Sequence, residues 1–184
     1  MKTEDIIIRE TNVGDINEIV NINTLAFGSD EEAKLVLDLL DDETAKPLLS
    51  LFALNEDGPV GYILFTRLYF ENLENQPLMY ILAPMAVKPE YQRKGIGGVL
   101  IKKGIEILRA WGTELVFVLG HEKYYPKYGF TPDAGKLGFE APYPILEINA
   151  GAWMVQFLKE GPPAYGDHKI KCANKLDKPE YWRE

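Results

Sequence analysis

The chain has 184 residues, 46% of them hydrophobic and 26% charged, which suits a single soluble domain over residues 1–184. Its formal net charge of −8 argues against nucleic acid as a partner, because a polyanion is held by lysine and arginine. No apolar run approaches the ~18 residues needed to cross a bilayer, and the start MKTEDIIIRETN is too acidic for a signal peptide. A cytoplasmic protein with no membrane attachment is expected.

Asp5 to Glu10 carries the β-branched run IIIRE and predicts a first strand. A helix follows, with Asp15 near its start, Ile16, Ile19, Val20, Asn23 and Phe27 at helical spacing, and Gly28 at its end. A second helix, Asp30 to Asp41, places Ala33, Val36, Leu37 and Leu40 on one face. It crowds Asp30, Glu31 and Glu32 into a first turn where the helix dipole favours carboxylates. Two apolar runs joined by Asn55-Glu56-Asp57-Gly58 predict a β-hairpin. PLMYILAPMAV, from Pro77 to Val87, predicts a central strand broken locally by Pro84, which has no N–H to donate.

A long helix is expected from Gly95 to about Trp111, with Ile96, Val99, Leu100, Ile107, Leu108 and Trp111 inward and Lys102 and Lys103 in water. ELVFVLG predicts a buried strand, and HEKYYPKYGF a short helix or turn ending at Gly129. Strands are expected near Lys136 to Ala141 and Trp153 to Leu158, while the polar tail from Gly161 is less legible. The order β, α, α, β-hairpin, β, α, β, α, β, β describes a mixed α/β sheet with antiparallel strands early and a β-α-β unit in the middle.

The residue inventory excludes several chemistries. Cys172 is the single cysteine, so no intramolecular disulfide forms. His121 and His168 are far apart, no ligand cluster has zinc spacing, and no metal is expected. Neither Ser29 nor Ser50 lies in a G-x-S-x-G elbow. A negative surface would attract cationic substrates such as amines, although solubility is the plainer role of surface carboxylates.

The stretch YQRKGIGGVL, Tyr91 to Leu100, sets glycines and cations at the mouth of the long helix. A helix N-terminus offers unpaired N–H groups and partial positive charge, and glycine lets an anion approach the backbone. A Walker A loop fails for want of the Lys-Ser/Thr end, and a dinucleotide G-x-G-x-x-G fails at Leu100. The pattern Q/R-x-x-G-x-G is complete as Gln92, Arg93, Lys94, Gly95, Ile96 and Gly97, and a diphosphate fits such a seat. A turn whose glycines serve packing alone is the competing reading.

Leu82 to Gly98, LAPMAVKPEYQRKGIGG, resembles the acetyl-CoA site of the GNAT superfamily of N-acyltransferases. YYPKYGF, Tyr124 to Phe130, resembles that family's F/Y-Y-x-x-x-G-F segment. The order of elements matches as far as Phe130; beyond about Phe139 the likeness is only general. The resemblance implies a GNAT fold, with a mixed central sheet splayed at the cofactor site and flanked by helices. It implies acetyl-CoA as co-substrate, its pantetheine paired with backbone groups of Met85 and Val87. The diphosphate would then sit on N–H groups from Arg93 through Lys94, Gly95, Ile96 and Gly97 to Gly98, and a carboxylate placed at Gly97 would abolish binding without unfolding.

The implied activity is transfer of an acetyl group to a primary amine, on a small molecule or a peptide or protein, by direct attack. The N–H of Met85 or Ala86 would stabilise the oxyanion, and Tyr125 would be the general acid. Tyr124 and Tyr128 are read as structural. The family's frequent strand glutamate has no counterpart in MYILAPMAV; His121 and Glu122 are nearby in sequence, though solvated loop residues are the plainer reading of both. A non-catalytic acyl-CoA-binding sensor or interaction module is the alternative. The acceptor and the oligomeric state, a homodimer included, stay open.

Overall fold

The computed structural model describes residues 5–160, 165 and 168–183. Part of the tail from Gly161 and the first four residues of the single-domain reading lie outside them. The strands are β1 (Ile7–Glu10), β2 (Leu49–Asn55), β3 (Gly58–Phe70), β4 (Met79–Val87), β5 (Leu115–Leu119), β6 (Phe139–Glu140), β7 (Trp153–Phe157) and β8 (His168–Lys171). The helices are α1 (Ile16–Phe27), α2 (Glu31–Asp41) and α3 (Ile96–Ala110). The main sheet runs β1-β2-β3-β4-β5-β7. Along that path β4 and β5 pair in parallel, and α3 is the crossover that returns the chain to lay β5 beside β4. This is the mixed, helix-flanked α/β sheet that the sequence implies.

Side-chain alternation along the strands builds two cores. Tyr62 and Leu64 of β3 and Met79 and Ile81 of β4 pack with Ile19, Ile22, Val36 and Leu39 of α1 and α2. Ile63 and Phe65 of β3 and Tyr80 and Leu82 of β4 pack with Leu100, Ile101 and Leu108 of α3. The helices therefore cover opposite faces, and β3 and β4 are buried on both.

Helix faces differ in part from the sequence reading. In α3 the buried residues are Ile96, Gly97, Gly98, Leu100, Ile101, Gly104, Ile105 and Leu108. Val99 and Ile107 are only half-buried, and Trp111 lies past the helix end, 40% exposed, its ring tilted on Tyr80. The stripe passes through Gly104 because the flat ring of Phe65 fills the place of a side chain. In α2 the buried residues are Ala33, Leu35, Val36 and Leu39; Leu37 faces out and Leu40 is at the margin. In α1, Ile22 replaces Val20 on the buried face, and Phe27 is exposed.

The first strand is shorter than Asp5 to Glu10, and the region from Lys136 to Ala141 contributes only the two-residue β6 after a turn of 3-10 helix. HEKYYPKYGF holds a 3-10 turn, Tyr125–Tyr128, closed by left-handed Gly129. The tail carries β8, absent from the sequence reading, because HKIK has just one apolar residue, Ile170, to mark it. β8 pairs with the end of β3 and with β6.

The segment after β8 is tied to the far side of the chain by buried Asp42. This carboxylate accepts from the Thr44 amide and hydroxyl and, at 2.8 Å, from the Lys175 amide. Burial works to raise its pKa, but these hydrogen bonds prevail and hold it below the ordinary carboxylate value. The Asn174 amide donates to Thr44 Oγ1 beside it, and Trp182 stacks edge-on against Trp153. Asp42→Ala is expected to lower the unfolding free energy by about 2 kcal/mol in urea titration. The Lys175 amide should lose hydrogen-exchange protection before the sheet does; equal protection in both proteins would contradict the tether.

Candidate active site

The β4–β5 ladder runs from Met79↔Leu115 to Leu82↔Val118. Beyond it β5 continues along β7 to Leu119, while β4 continues along β3 to Val87. The β3–β4 register shifts between the pairs Phe65↔Leu82 and Ile63↔Met85, so Ala83 and Pro84 bulge where the strands part. The backbone of β4 from Ala83 onward thus faces an opening, where unpaired groups can meet a ligand.

That opening is a cleft of about 820 Å³. Of the residues expected in the site, Met85, Val87, Gln92, Arg93, Gly95, Ile96, Gly97 and Tyr125 line it together. Ala86, Lys94 and Gly98 do not. Ala86 is buried in the core of α1 and α2, Gly98 lies beneath Tyr128, and Lys94 reaches outward with Nζ 5.3 Å from the Tyr91 ring centroid.

At one end of the cleft the loop turns sharply. Arg93 and Gly95 both hold left-handed φ, 59° and 84°. Gly95 is the N-cap of α3, no side chain caps the helix, and its first turn has no acid. The first N–H groups of a 15-residue helix therefore meet the cleft with positive partial charge, an anion seat. Gln92 has a different task from phosphate contact: its Nε2 donates to Val87 O at 3.0 Å and closes the loop on β4. Lys88 pairs with Glu18 at 2.7 Å and ties the same loop to α1.

Three tyrosines form the adjoining wall, and each is seated on a glycine. A Cβ on Gly97 would stand 2.5 Å from Tyr124 Oη, one on Gly98 the same distance from Tyr128 Oη, and one on Gly120 2.7 Å from the Tyr125 ring. The Tyr124 ring meets Tyr125 and Tyr128 at 5.2 and 5.1 Å between centroids. Burial, then the Tyr128 hydroxyl, push the Tyr124 phenol well above its ordinary pKa, so it stays protonated. The glycine at 97 therefore serves side-chain packing. A carboxylate there would strike Tyr124 and Met85, a steric effect that the sequence reading took as electrostatic.

At the other end lie Phe27 and Glu32 from the α1–α2 junction, and Leu119 and His121 from the end of β5. Glu32 Oε2 accepts from Ser29 Oγ at 3.0 Å, which fixes the carboxylate. Glu122 lines a neighbouring cavity with Ile148 and Asn149, and its carboxylate abuts Gly151. Phe27 was missed as a site residue because helical spacing assigned it to the core, whereas its ring is exposed at the cleft. Among the described residues no cluster of histidine, cysteine, aspartate and glutamate suits a metal.

Comparisons with known proteins agree with this geometry. Residues 16–130 match the model of the Acetyltransferase (GNAT) family. The uncharacterized N-acetyltransferase YjhQ of Escherichia coli K12 is 51% identical over 164 residues, 89% of this chain and 90% of that protein. The crystal structure of Escherichia coli YhbS in complex with CoA superposes with a TM-score of 0.84 at 24% identity, over 95% of this chain and 93% of that one. A Brucella melitensis GNAT acetyltransferase in complex with acetyl-CoA gives 0.73 at 25% identity, over 94% and 98%.

Gly98→Ala is expected to displace Tyr128 and to cost about 1–3 kcal/mol in urea unfolding. Gly135→Ala, where a Cβ meets open space, should leave the midpoint nearly unchanged. Equal midpoints for the two variants would show that the tyrosine is not seated on the helix.

Proposed function

The chain belongs to the GNAT family of acetyltransferases, and from that premise we propose that it moves the acetyl group of acetyl-CoA to a primary amine by direct attack. The observation that carries the reading is one cleft joining a parted β4, an uncapped helix N-terminus and Tyr125. The residues present fit acetyl-CoA. Backbone groups of Met85 and Val87 are offered to the pantetheine, and N–H groups around Gly95 to Gly97 to the diphosphate, with Arg93 adding charge. When bound, the co-substrate supplies an activated thioester.

The chain's own groups then do the rest. The N–H of Met85 donates to the carbonyl oxygen as negative charge develops on it; Ala86, the other candidate, does not line the cleft. The amine nitrogen bonds to the acyl carbon, and the carbon–sulfur bond breaks. Tyr125 gives its proton to the leaving sulfur. Its ring is held by Gly120 and by an edge-on contact with Phe130 at 5.7 Å, which fixes the hydroxyl in the cleft. Glu32 and His121 are the carboxylate and the imidazole among the lining residues. Glu32 receives the acceptor's ammonium group, and either takes the proton the amine must lose before attack. The missing β4 glutamate is thus replaced from α2 or from the end of β5.

Tyr125→Phe keeps the packing and removes the proton. It is expected to lower kcat roughly 100-fold, in a thiol-release assay over a panel of amines, while acetyl-CoA affinity by calorimetry changes little. An unchanged kcat would remove Tyr125 from the chemistry. Acetyl-CoA binding with no amine-dependent release from any amine would favour a sensor, a reading to which the absence of a carboxylate on β4 lends some weight.

A further inference from the structure

The wedge between β4 and β5 has a second face, and the C-terminal segment fills it. Leu82, Ala83 and Leu119, which line the cleft at the point where the strands part, also line a small cavity of about 90 Å³. The opposite wall of that cavity is Leu176, Tyr181, Trp182 and Arg183. One layer of side chains therefore separates the cleft from the end of the chain. Leu176 and Trp182 are buried, and Trp182 Nε1 donates to Leu176 O at 3.0 Å. The Asp42 and Thr44 tethers hold the same segment at Asn174 and Lys175. These residues lie well beyond 16–130, the stretch that matches the family model.

We propose that residues 173–183 form the back wall of the acceptor end: they exclude water from the thioester and limit the bulk of the amine accepted. A parted pair of strands is open on both faces unless something covers one. Here α3 and the tyrosines occupy one face, the tail closes the other behind Leu82 and Ala83, and Phe27 and Glu32 border the remaining entrance. With the wall in place, the amine enters past Glu32 and the space behind Leu82 and Ala83 is closed to it. With the wall loosened, water reaches the acyl carbon: its oxygen bonds to that carbon, the carbon–sulfur bond breaks, and the proton passes to sulfur, giving acetic acid and free CoA thiol. A branched amine likewise gains room.

This inference rests on the acetyl-transfer reading, and its test separates the two. Trp182→Ala and Tyr181→Ala are compared with wild type for acetyl-CoA affinity, thiol release without amine, and kcat/KM for a branched amine against its unbranched isomer. The Tyr181 ring is half-buried, so its variant keeps the fold even where loss of Trp182 does not. Expected are unchanged acetyl-CoA affinity, amine-independent thiol release raised several-fold, and a shift of roughly tenfold in the ratio toward the branched amine. Unchanged hydrolysis and an unchanged ratio in folded Tyr181→Ala would overturn the inference alone. Absence of acetyl-CoA binding in wild type would overturn the acetyl-transfer reading and the inference with it.

Discussion

Parallel pairing of β4 with β5 stops at Leu82 and Val118, and the candidate site depends on that stop. Were the ladder to continue, Ala83 to Val87 would satisfy β5 and no cleft would exist. Three features enforce the parting. Pro84 brings no N–H to a ladder, the β3–β4 register shifts beside it, and β5 is committed to β7 through Leu119↔Trp153. The parted backbone is a row of polar groups awaiting a partner, and burying them unpaired would be costly. A ligand with its own amides, as a pantetheine has, supplies what the sheet withholds.

The second constraint is the docking of tyrosines on glycines. Gly97, Gly98 and Gly120 each leave the space that Tyr124, Tyr128 and Tyr125 occupy. Gly97 and Gly98 join the start of α3 to Tyr124 and Tyr128, and the Tyr124 ring in turn meets Tyr125, the proposed proton donor. Gly95 has a separate duty, since its left-handed backbone turns the chain into the helix. The loop that sequence reading treats as one glycine-rich motif is thus two devices, a turn and a packing surface.

The fold was legible as far as periodicity and punctuation carry. The α1–α2 pair, the Asn55–Gly58 hairpin, β4, α3 and β5 all announced themselves by alternation, helical spacing or glycine stops. Of the residues named by resemblance, Met85, Val87, Gln92, Arg93, Gly95, Ile96, Gly97 and Tyr125 line the cleft, whereas Ala86, Lys94 and Gly98 do not. Three things were not legible. The exact face of α3 was missed because Gly104, which has no side chain to count toward an apolar stripe, is a packing position under Phe65. Phe27 joins the cleft only through tertiary placement of the α1–α2 junction. The tail is polar in sequence, and its few anchors, Ile170, Leu176 and Trp182, are too widely spaced for any period to reveal them.

The proposed back wall at the C-terminal segment answers the same constraint: a sheet that opens for a ligand has to be closed again where the chemistry is to stay dry. A crystal structure of the protein grown with CoA tests the central claim most directly. The account predicts the pantetheine amides hydrogen-bonded to Met85 and Val87, the diphosphate at the N-terminus of α3, and the thiol end near Tyr125. A CoA molecule bound outside the β4–β5 wedge, or a β4–β5 ladder that continues past Leu82, would contradict it.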